Sequence, residues 1–462
     1  MERLWPVAHY QAVGNIPPKR HTQHRRPGKG RTPGELYYEE LMGEEGFSSD
    51  SSLLYHRNIP STTVGASVWE LPDQSTTPNH PLVPRHLRLH DLFDAKAVRG
   101  TDVVTGRRLV LGNGDVRISY AVAAQASPWY RNGIGDECVY VERGRGRVET
   151  VFGSFEVGEG DYVIIPRATT HRWIPKPSTK DPMRVYCIEA NSHIAPPKRY
   201  LSRYGQLLEH APYCERDLRQ PDGPLLAEDI GASPDEETEV YIKHRGGGPA
   251  SSGGIVGTVH VLPFHPLDVV GWDGCLYPYV FNVSDYEPIT GRIHQPPPAH
   301  QVFEGWNFVV CNFVPRKVDY HPLSIPVPYY HSNVDSDEIM FYVDGDDPHL
   351  RHACGRCQGR REQARLGHDH RDLERPGLGA AEERSERRHV GRRQDERAHQ
   401  PAVPARQVRD VGRDGVGEGQ VAGREERGVV TEPGEEASEQ PLTRRGRGHD
   451  PSCPSRRPLL QE

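Results

Sequence analysis

All aromatic residues of this 462-residue chain lie within residues 1–350. Residues 351–462 contain no Phe, Trp, Tyr, Ile, Met, Asn or Lys, whereas 23 of those 112 positions are Arg. A segment of this size without aromatic residues or Ile buries too little apolar surface to offset the entropy lost on ordering it. A packed fold is therefore expected only before residue 351, and the remainder is predicted to be a disordered tail.

The residue types missing from this segment share a property of the genetic code. The codons of Phe, Ile, Met, Tyr, Asn and Lys carry only A or T in their first two positions. Only nine of the 112 residues, all Ser, Thr or Cys, need a codon that begins with A or T. A GC-rich gene read out of frame gives this pattern, whereas selection for disorder would keep Lys and Asn. We expect a frameshifted or spliced-in segment from near Asp346; a genuine Arg-rich disordered tail is the alternative.

Charge and hydropathy exclude several classes of protein. The net charge is −7 and the isoelectric point about 6.4, so a basic field for nucleic acid is absent and no nucleic-acid partner is expected. No run of 18 apolar residues and no apolar signal core occur, so neither membrane spanning nor secretion is expected. The cysteines are scattered, which favours a reducing cytoplasm. The pairs Cys354–Cys357 and His368–His370 lie in the anomalous segment, whose composition argues against a zinc site.

The order of turn signals and strand-like runs predicts five regions. They are an N-terminal wrapping segment (1–60), a first barrel (61–200), a connecting segment (201–250), a second barrel (251–346) and the tail (347–462). The spacing of apolar residues predicts a short helix at 35–42 and a second one in KRYLSRYGQLLEHAPY, residues 198–213.

The clearest unit is Asp136–Trp173, in which short strand-like runs alternate with Gly-bearing turns. It resembles the small double-stranded barrel of the cupin superfamily, in which a carboxylate and a late histidine point inward. Glu137 and His171 stand at those places, but Asn132 and Gly133 replace the usual early histidines. We therefore expect Glu137 and His171 to be structural. The predicted fold class is all-β, with duplicated cupin-like jelly-roll barrels and a few short helices.

A candidate metal site lies in VPYYHSNVDSDEIMFYVDG, where His331 precedes Glu338 by seven residues. Two strands joined by the polar turn SNVDSD can bring an imidazole and a carboxylate to one ion. With one more imidazole this pair makes the facial triad of Fe(II) oxygenases, although zinc hydrolases use a similar set. In a third interpretation, His331 caps a turn and Glu338 faces solvent. Spacing alone leaves all three open.

Several long motifs in order resemble homogentisate 1,2-dioxygenases, particularly bacterial ones. They include IPPKRHTQHR, EELMGEEGFSSDSSLLYH, GWDGCLYPYVFNVSDYEPITGRIHQPPPAHQVFEG and the candidate metal segment, and they span roughly residues 8–346. The resemblance implies a homo-oligomer, usually a hexamer built from trimers. It also implies an Fe(II) enzyme of tyrosine and phenylalanine catabolism that uses O₂ to open the ring of homogentisate, a small aromatic acid, giving maleylacetoacetate.

The same resemblance assigns roles to residues of this chain. His331 and Glu338 match the first two iron ligands, with Asp337 as a weaker alternative to Glu338. His294 matches the histidine that acts as acid and base on the substrate phenol, and His300 is second choice for that role and a substrate-binding candidate. Tyr330, with its neighbour Tyr329, is expected to line the substrate pocket.

The chain departs from this family at the third iron ligand. In the family that histidine lies some 30 residues beyond the Glu, in a Gly- and His-rich segment that is missing from this chain. None of the histidines in or near the anomalous segment has the family context, so none is assigned: His349, His352, His368 and His370. We therefore expect the 462-residue form to be inactive or nearly so. The alternative function is a non-catalytic or isomerase-type cupin that binds a small organic acid.

Overall fold

The computed structural model of the protein consists almost entirely of β-strands. It describes residues 10–27, 36–93, 101–177, 182–249, 252–287, 300–314, 323 and 336–343, and the strand at 418–423. Helical structure in these ranges is limited to short 3-10 turns, and none of their helices is long and apolar enough to cross a membrane. The compact unit Met1–Arg424 contains every described residue, and the second unit, Glu425–Glu462, lies outside them. The predicted all-β fold class is confirmed.

The strands form four sheets, and within each sheet the order below is the order in space. The first sheet is β1 (Gln11–Gly14), β18 (Val269–Gly274), β3 (Ser48–His56) and β2 (Tyr38–Glu45). The second is β10 (Gly153–Val157), β9 (Gly146–Thr150), β12 (His171–Pro175), β7 (Trp129–Asn132), β16 (Thr238–Arg245), β17 (Ile255–Leu262) and β4 (Gly65–Trp69). The third is β15 (Leu218–Arg219), β19 (Tyr279–Asn282), β11 (Asp161–Ile165), β8 (Glu137–Arg143), β13 (Met183–Ala190), β6 (Val116–Ala123) and β5 (Arg108–Gly112). The fourth is β14 (Ile194–Ala195), β20 (Gln301–Gly305), β21 (Phe308–Phe313), β23 (Glu418–Gly423) and β22 (Glu338–Phe341).

The third sheet is buried on both faces. On one face Tyr140 of β8 lies in an apolar cluster with Phe303 of the fourth sheet. On the other face its neighbour Val139 packs with Trp173 of the second sheet. Because successive side chains of a strand point to opposite faces, a strand buried on both sides needs apolar residues throughout. This explains the run DYVII of β11, which is buried at every position.

The strand-and-turn pattern predicted for Asp136–Trp173 is confirmed. It forms β8 to β12, and β9 pairs with both β10 and β12. The turns contain Gly144 and Gly160 at φ of 81° and 83°, a left-handed conformation that favours glycine. The second and third sheets, joined by these turns, enclose the jelly-roll interior.

Two helix predictions are wrong. Residues 38–45 form strand β2, which pairs antiparallel with the adjacent strand β3 in a hairpin, because this cross-strand pairing outweighs a short helical pattern. In the segment 198–213 only Lys198–Tyr200 is helical, as a single 3-10 turn. Gly205, at φ of 83°, and Pro212 interrupt the remainder.

Six residues of the predicted tail form a strand. Glu418–Gly423 pairs with β21 on one side and β22 on the other. The rest of the segment 347–462 lies outside the described residues. Strands from both predicted barrel regions share sheets, since β19 lies between β15 and β11 in the third sheet. The proposed domain boundaries stay a prediction.

Candidate functional site

Three of the predicted site residues, His294, Tyr330 and His331, lie outside the described residues, as does Tyr329. Glu338, Asp337 and His300 are described. The described part of the candidate iron site therefore belongs to the fourth sheet and the residues beside it.

Glu338 opens strand β22 and is half-buried. Through β23 its position corresponds to that of Val309 on β21, so Glu338 lies on the same sheet face as Val309 and Cys311. Burial raises the pKa of the Cys311 thiol to about 12, and the negative charge of Glu338 adds to this shift. The thiol is therefore protonated, and the carboxylates of Glu338 and Glu304 share this face, since Glu304 pairs with Val309.

Asp337 is oriented differently from the neighbouring glutamate. Its Oδ2 accepts a hydrogen bond of 3.0 Å from Nδ2 of Asn113, in the turn between β5 and β6. This bond ties the start of β22 to the third sheet. Asp337 therefore forms a contact between the fourth and third sheets.

His300 lies immediately before β20 and is buried. Its ring stacks on that of Phe313 with centroids 4.5 Å apart and planes inclined by 30°. Its carbonyl oxygen accepts a 2.7 Å hydrogen bond from the backbone N–H of Asn312. Stacking and backbone pairing together fix the position of the imidazole at the end of β21.

Asn312 is a buried polar residue that sequence reasoning missed. Neither Oδ1 nor Nδ2 of its side chain has a hydrogen-bond partner among the described residues. Its register partner on β23, Gly419, is also the register partner of Phe341 on β22. Phe341 belongs to the apolar cluster that contains Tyr140 and Phe303. The sequence feature that could have revealed Asn312 is the single amide side chain inside the apolar run FVVCNFV.

The described residues do not make up a complete metal site. Within the described ranges, no group of three His, Cys, Asp or Glu side chains is placed to hold a metal ion. Of the predicted iron ligands, these ranges contain Glu338 and its weaker alternative, Asp337. The donor set needed for iron is thus not assembled by the described part of the chain.

A second polar group lies inside the jelly roll. Glu137 of β8 is directly opposite Glu189 of β13, and both side chains are buried. Nη1 of Arg107 donates to Oε1 of Glu137 at 2.9 Å and to Oε1 of Glu189 at 3.0 Å, and Nη2 donates to Oε2 of Glu137 at 2.8 Å. Nζ of Lys243, on β16, donates to Oε1 of Glu189 at 2.8 Å. Two carboxylates and two cations therefore balance each other between the second and third sheets.

Glu137 has no free oxygen for a metal. Besides the guanidinium, Oε1 accepts 2.9 Å and 3.0 Å hydrogen bonds from the Tyr130 hydroxyl and the Asn132 amide. Burial alone would raise the pKa of Glu137, but the charge and hydrogen bonds of Arg107 outweigh it and hold the pKa at about 2. Arg107 and Glu189 were not singled out from sequence, because they lie 30 and 52 residues from Glu137 without a local motif.

His171 lies on β12 and is fully buried. Its Nδ1 is 3.0 Å from the carbonyl oxygen of Thr169, so Nδ1 carries the proton and Nε2 presents a lone pair. That Nε2 has no hydrogen-bond partner among the residues described. Burial lowers the pKa of His171, which keeps the ring neutral. The ring meets Tyr130 edge-on, with centroids 5.4 Å apart.

Comparison with known proteins identifies the family. A family model described as "Cupin domain" matches residues 116–189, from β6 to β13. A protein of Saccharolobus solfataricus named "Putative dioxygenase SSO1533" is 38% identical over 343 residues, or 73% of this chain and 80% of that protein. The chain belongs to this dioxygenase family. A "Homogentisate 1,2-dioxygenase" of Rhodopseudomonas palustris is 26% identical over 237 residues, which is 48% of this chain and 46% of that enzyme.

Solved structures match shorter parts of the chain. A cupin superfamily protein of Desulfitobacterium hafniense is 15% identical and covers 27% of this chain and 97% of its own, with a TM-score of 0.19. A cupin-2 domain protein of Shewanella frigidimarina is 16% identical and covers 22% of this chain and 87% of its own, with a TM-score of 0.18. The domain match over β6 to β13 confirms the predicted cupin-like barrel for this part of the chain.

Proposed function

We propose that the protein is an Fe(II)-dependent dioxygenase that opens the ring of homogentisate to give maleylacetoacetate, in tyrosine and phenylalanine catabolism. The observation that carries the proposal is 38% identity over 80% of a relative named as a dioxygenase. The narrower match to a homogentisate 1,2-dioxygenase supports the choice of substrate. We also propose a cytoplasmic homo-oligomer, a trimer or hexamer, on the family resemblance.

The balance of the reaction defines what the chain must do. One carbon–carbon bond of the ring breaks, both atoms of O₂ enter the product, and the phenol proton has to be taken up during binding. When bound, a ferrous ion supplies the place where the phenolate and dioxygen meet. In this proposal His331 and Glu338 hold the ion, and the described residues supply only Glu338. The remaining tasks of the chain are to move the phenol proton, to position the substrate and to exclude water.

Proton transfer is assigned to histidine. Imidazole takes and returns a proton near neutral pH, and His294 is proposed to accept the proton of the substrate phenol. His300 is the second candidate, because its buried ring is held on Phe313 beside the end of β21. Its carbonyl bond to Asn312 fixes the backbone at this position. A substrate-binding imidazole held in this way loses little further freedom on binding.

On the face of β22 opposite to Glu338, Phe341 packs into the apolar cluster between the third and fourth sheets. The rings of Phe341 and Tyr186 stack with centroids 4.4 Å apart and planes inclined by 14°. Phe341 also meets Tyr140 edge-on at 6.3 Å. These contacts anchor strand β22, which begins at Glu338, and they lie on the face away from that carboxylate.

The 462-residue form is proposed to lack activity because its third iron ligand is missing, and metal affinity depends on the number of ligands. The test compares this form with a chain whose reading frame is restored from codon 346. After anaerobic reconstitution with Fe(II), we expect oxygen uptake with homogentisate only from the restored chain. Oxygen uptake by the 462-residue form would contradict the missing-ligand proposal. An iron-loaded restored chain that leaves homogentisate unchanged would contradict the proposed function.

A non-catalytic or isomerase-type cupin that binds a small organic acid is the second candidate. It is favoured by the finding that the described residues contain no metal-holding group of three. The same reconstitution distinguishes the two candidates, since a cupin of this type would bind an organic acid without consuming O₂. Calorimetric titration with homogentisate in the absence of oxygen measures binding separately from turnover.

A further inference from the structure

Two arginines lie on neighbouring strands of the second sheet, on its outer face. Arg131 follows Tyr130 in β7, and Arg172 follows His171 in β12. Because Tyr130 and His171 are register partners whose rings meet inside the jelly roll, both arginines lie on the opposite, outer face. Nε of Arg172 donates to Oε2 of Glu149 at 2.8 Å. Arg172 therefore has a carboxylate partner.

Arg131 lacks such a partner among the residues that the structure describes. Its Nε and Nη2 both donate to Oγ1 of Thr170, at 2.9 Å and 2.7 Å, and its Nη1 donates to no described residue. Burial lowers the pKa of Arg131, and the charge of Glu40 offsets only part of this shift. Since charged groups that leave water are usually paired, a half-buried guanidinium bound only to a hydroxyl favours an anion beside it.

Glu40 is held mainly by a different cation. Its Oε2 lies 3.0 Å from Nε2 of His56, whose pKa of about 9 keeps that imidazole protonated at neutral pH. Burial raises the pKa of Glu40, but the hydrogen bond and the charge of His56 outweigh it, and the charge of Arg131 adds least. The Glu40 carboxylate thus leaves Nη1 of Arg131 available to a further acceptor.

The neighbours of Arg131 on this face include an apolar cluster and a histidine. Its register partner on β16 is Ile242, which packs against the cluster that contains Trp129. Beside apolar groups, an anion and a guanidinium attract each other more strongly than in water. His260 of β17 lies on the same face, two strands from β7. Burial lowers the pKa of His260, and the charge of Arg131 lowers it further, so His260 reports the charge at Arg131.

We infer that Arg131, positioned by Thr170, forms a binding site for a small oxyanion, a carboxylate or a phosphate group, on the outer face of the second sheet. Thr170 holds the edge of the guanidinium formed by Nε and Nη2. The adjacent edge, Nη1 with the remaining proton of Nη2, can donate to two oxygens of one oxyanion in the planar arrangement that arginine uses for carboxylates and phosphates. These residues are separate from those that the proposed function uses.

The test titrates the full-length chain with inorganic phosphate and, separately, with acetate, at an ionic strength kept constant with chloride. Calorimetry measures the affinity. Nuclear magnetic resonance of the histidine rings measures the pKa of His260, whose signals are assigned with His260→Gln. We expect the wild type to bind at least one of the two oxyanions. The bound anion should raise the pKa of His260, because it offsets the charge of Arg131.

The two arginines provide a matched pair of variants. Arg131→Gln should weaken binding of the anion by about 10-fold or more, because charge-assisted hydrogen bonds are lost. Arg172→Gln should bind the anion as the wild type does, since Glu149 already pairs with that arginine. Tighter binding of phosphate would assign the site to a phosphate group, and tighter binding of acetate would assign it to a carboxylate.

Two outcomes of these titrations would overturn the inference. One is a wild type that binds neither oxyanion. The other is an equal loss of affinity in Arg131→Gln and Arg172→Gln, which would indicate general attraction to a basic surface.

Glu40→Gln gives a second test that does not depend on the folding of Arg131→Gln. Removing this negative charge should tighten binding of the anion, because Glu40 no longer competes for the charge of Arg131. Unchanged affinity in Glu40→Gln would place the anion away from Arg131. Binding by Glu40→Gln alone, without binding by the wild type, would show that Glu40 is already the partner of Arg131. Either result would contradict the inference.

Discussion

Glu137 on β8 and Glu189 on β13 lie directly opposite each other, and one nitrogen of Arg107 donates to both. This arrangement places an ion pair network where the two sheets of the jelly roll meet. Buried ion pairs contribute little net stability compared with apolar packing, yet removing one partner leaves the other charge unpaired. The interior of this barrel is therefore sensitive to the loss of a single charge.

Replacing Arg107 with Met should lower the free energy of unfolding by about 3–5 kcal/mol, because two buried carboxylates lose their common partner. Urea denaturation followed by circular dichroism measures the change. Arg143→Met is the matched control, since Arg143 is exposed and its loss should change stability by less than about 0.5 kcal/mol. An Arg107→Met variant as stable as this control would show that the network is not needed for folding.

His56 should make stability depend on pH above neutrality. Its ring contacts Asp268 at 2.8 Å and Glu40 at 3.0 Å. Burial lowers the pKa of His56, but the bonds to these carboxylates outweigh it and raise the pKa from 6.5 to about 9. A raised pKa in the folded state gives stabilisation that is complete below pH 6.5 and is lost as the pH rises through 9. The shift corresponds to about 3 kcal/mol.

Measurements of unfolding in urea between pH 6 and pH 10 test this prediction. The wild type should lose stability over this interval, and His56→Gln should lose much less. His244→Gln serves as the control. The ring of His244 bonds to the Arg245 carbonyl at 3.0 Å and the Thr258 hydroxyl at 2.8 Å rather than to a carboxylate, so this variant should keep the wild-type slope. Equal slopes for wild type and His56→Gln would show that His56 is not the responsible group.

Two buried asparagines should respond in opposite ways to the same substitution. Asn312 has no hydrogen-bond partner for its side chain among the described residues, so Asn312→Leu should raise the free energy of unfolding by about 1–2 kcal/mol. Asn132 donates to Glu137 at 3.0 Å and accepts from the N–H of Ile134 at 2.9 Å. Asn132→Leu should therefore lower it by about 2–3 kcal/mol. Thermal and urea unfolding of the two variants measure both changes in the free energy of unfolding. A loss of stability in Asn312→Leu together with a gain in Asn132→Leu would contradict the environments assigned to the two amides.

Local patterns were sufficient to predict the central strands. In Asp136–Trp173 each strand is five to seven residues long, and a glycine lies in or beside each tight turn between β8 and β11. One partner of β9 is accordingly β10, its neighbour in sequence. Strand β2 was not predictable in the same way. Its conformation depends on β3 and, through β3, on β18, more than 200 residues away.

The candidate sites show the same difference between features set by local sequence and features set by distant residues. The carboxylate at Glu338 and the histidines were found from a continuous motif, although the structure leaves their roles as predictions. The partners of Glu137 are separated from it in sequence and come together only when β13 and β16 complete the two sheets. Of the two consecutive arginines before the run LVLG, Arg107 is buried and Arg108 is exposed, and the sequence gives no sign of which side chain turns inward.

Glu338 and Asp337 can be separated as candidate ligands. In the frame-restored chain, Glu338→Gln should weaken binding of Fe(II) by more than about 10-fold, because a ligand oxygen loses its charge. Asp337→Asn should leave binding nearly unchanged, since Asp337 contacts Asn113. Anaerobic titration with Fe(II) and a competing chelator gives both affinities. Loss of binding in Asp337→Asn alone would move the ligand assignment to that residue.

In the proposed reaction, this family member adds both atoms of one O₂ molecule to an aromatic acid. The most direct test supplies ¹⁸O₂ and homogentisate to the iron-loaded, frame-restored chain and analyses the product by mass spectrometry. We predict maleylacetoacetate that carries two heavy oxygen atoms, after correction for exchange with water. A ring-opened product with one heavy atom or none, or a homogentisate ring that stays closed, would contradict the proposed reaction.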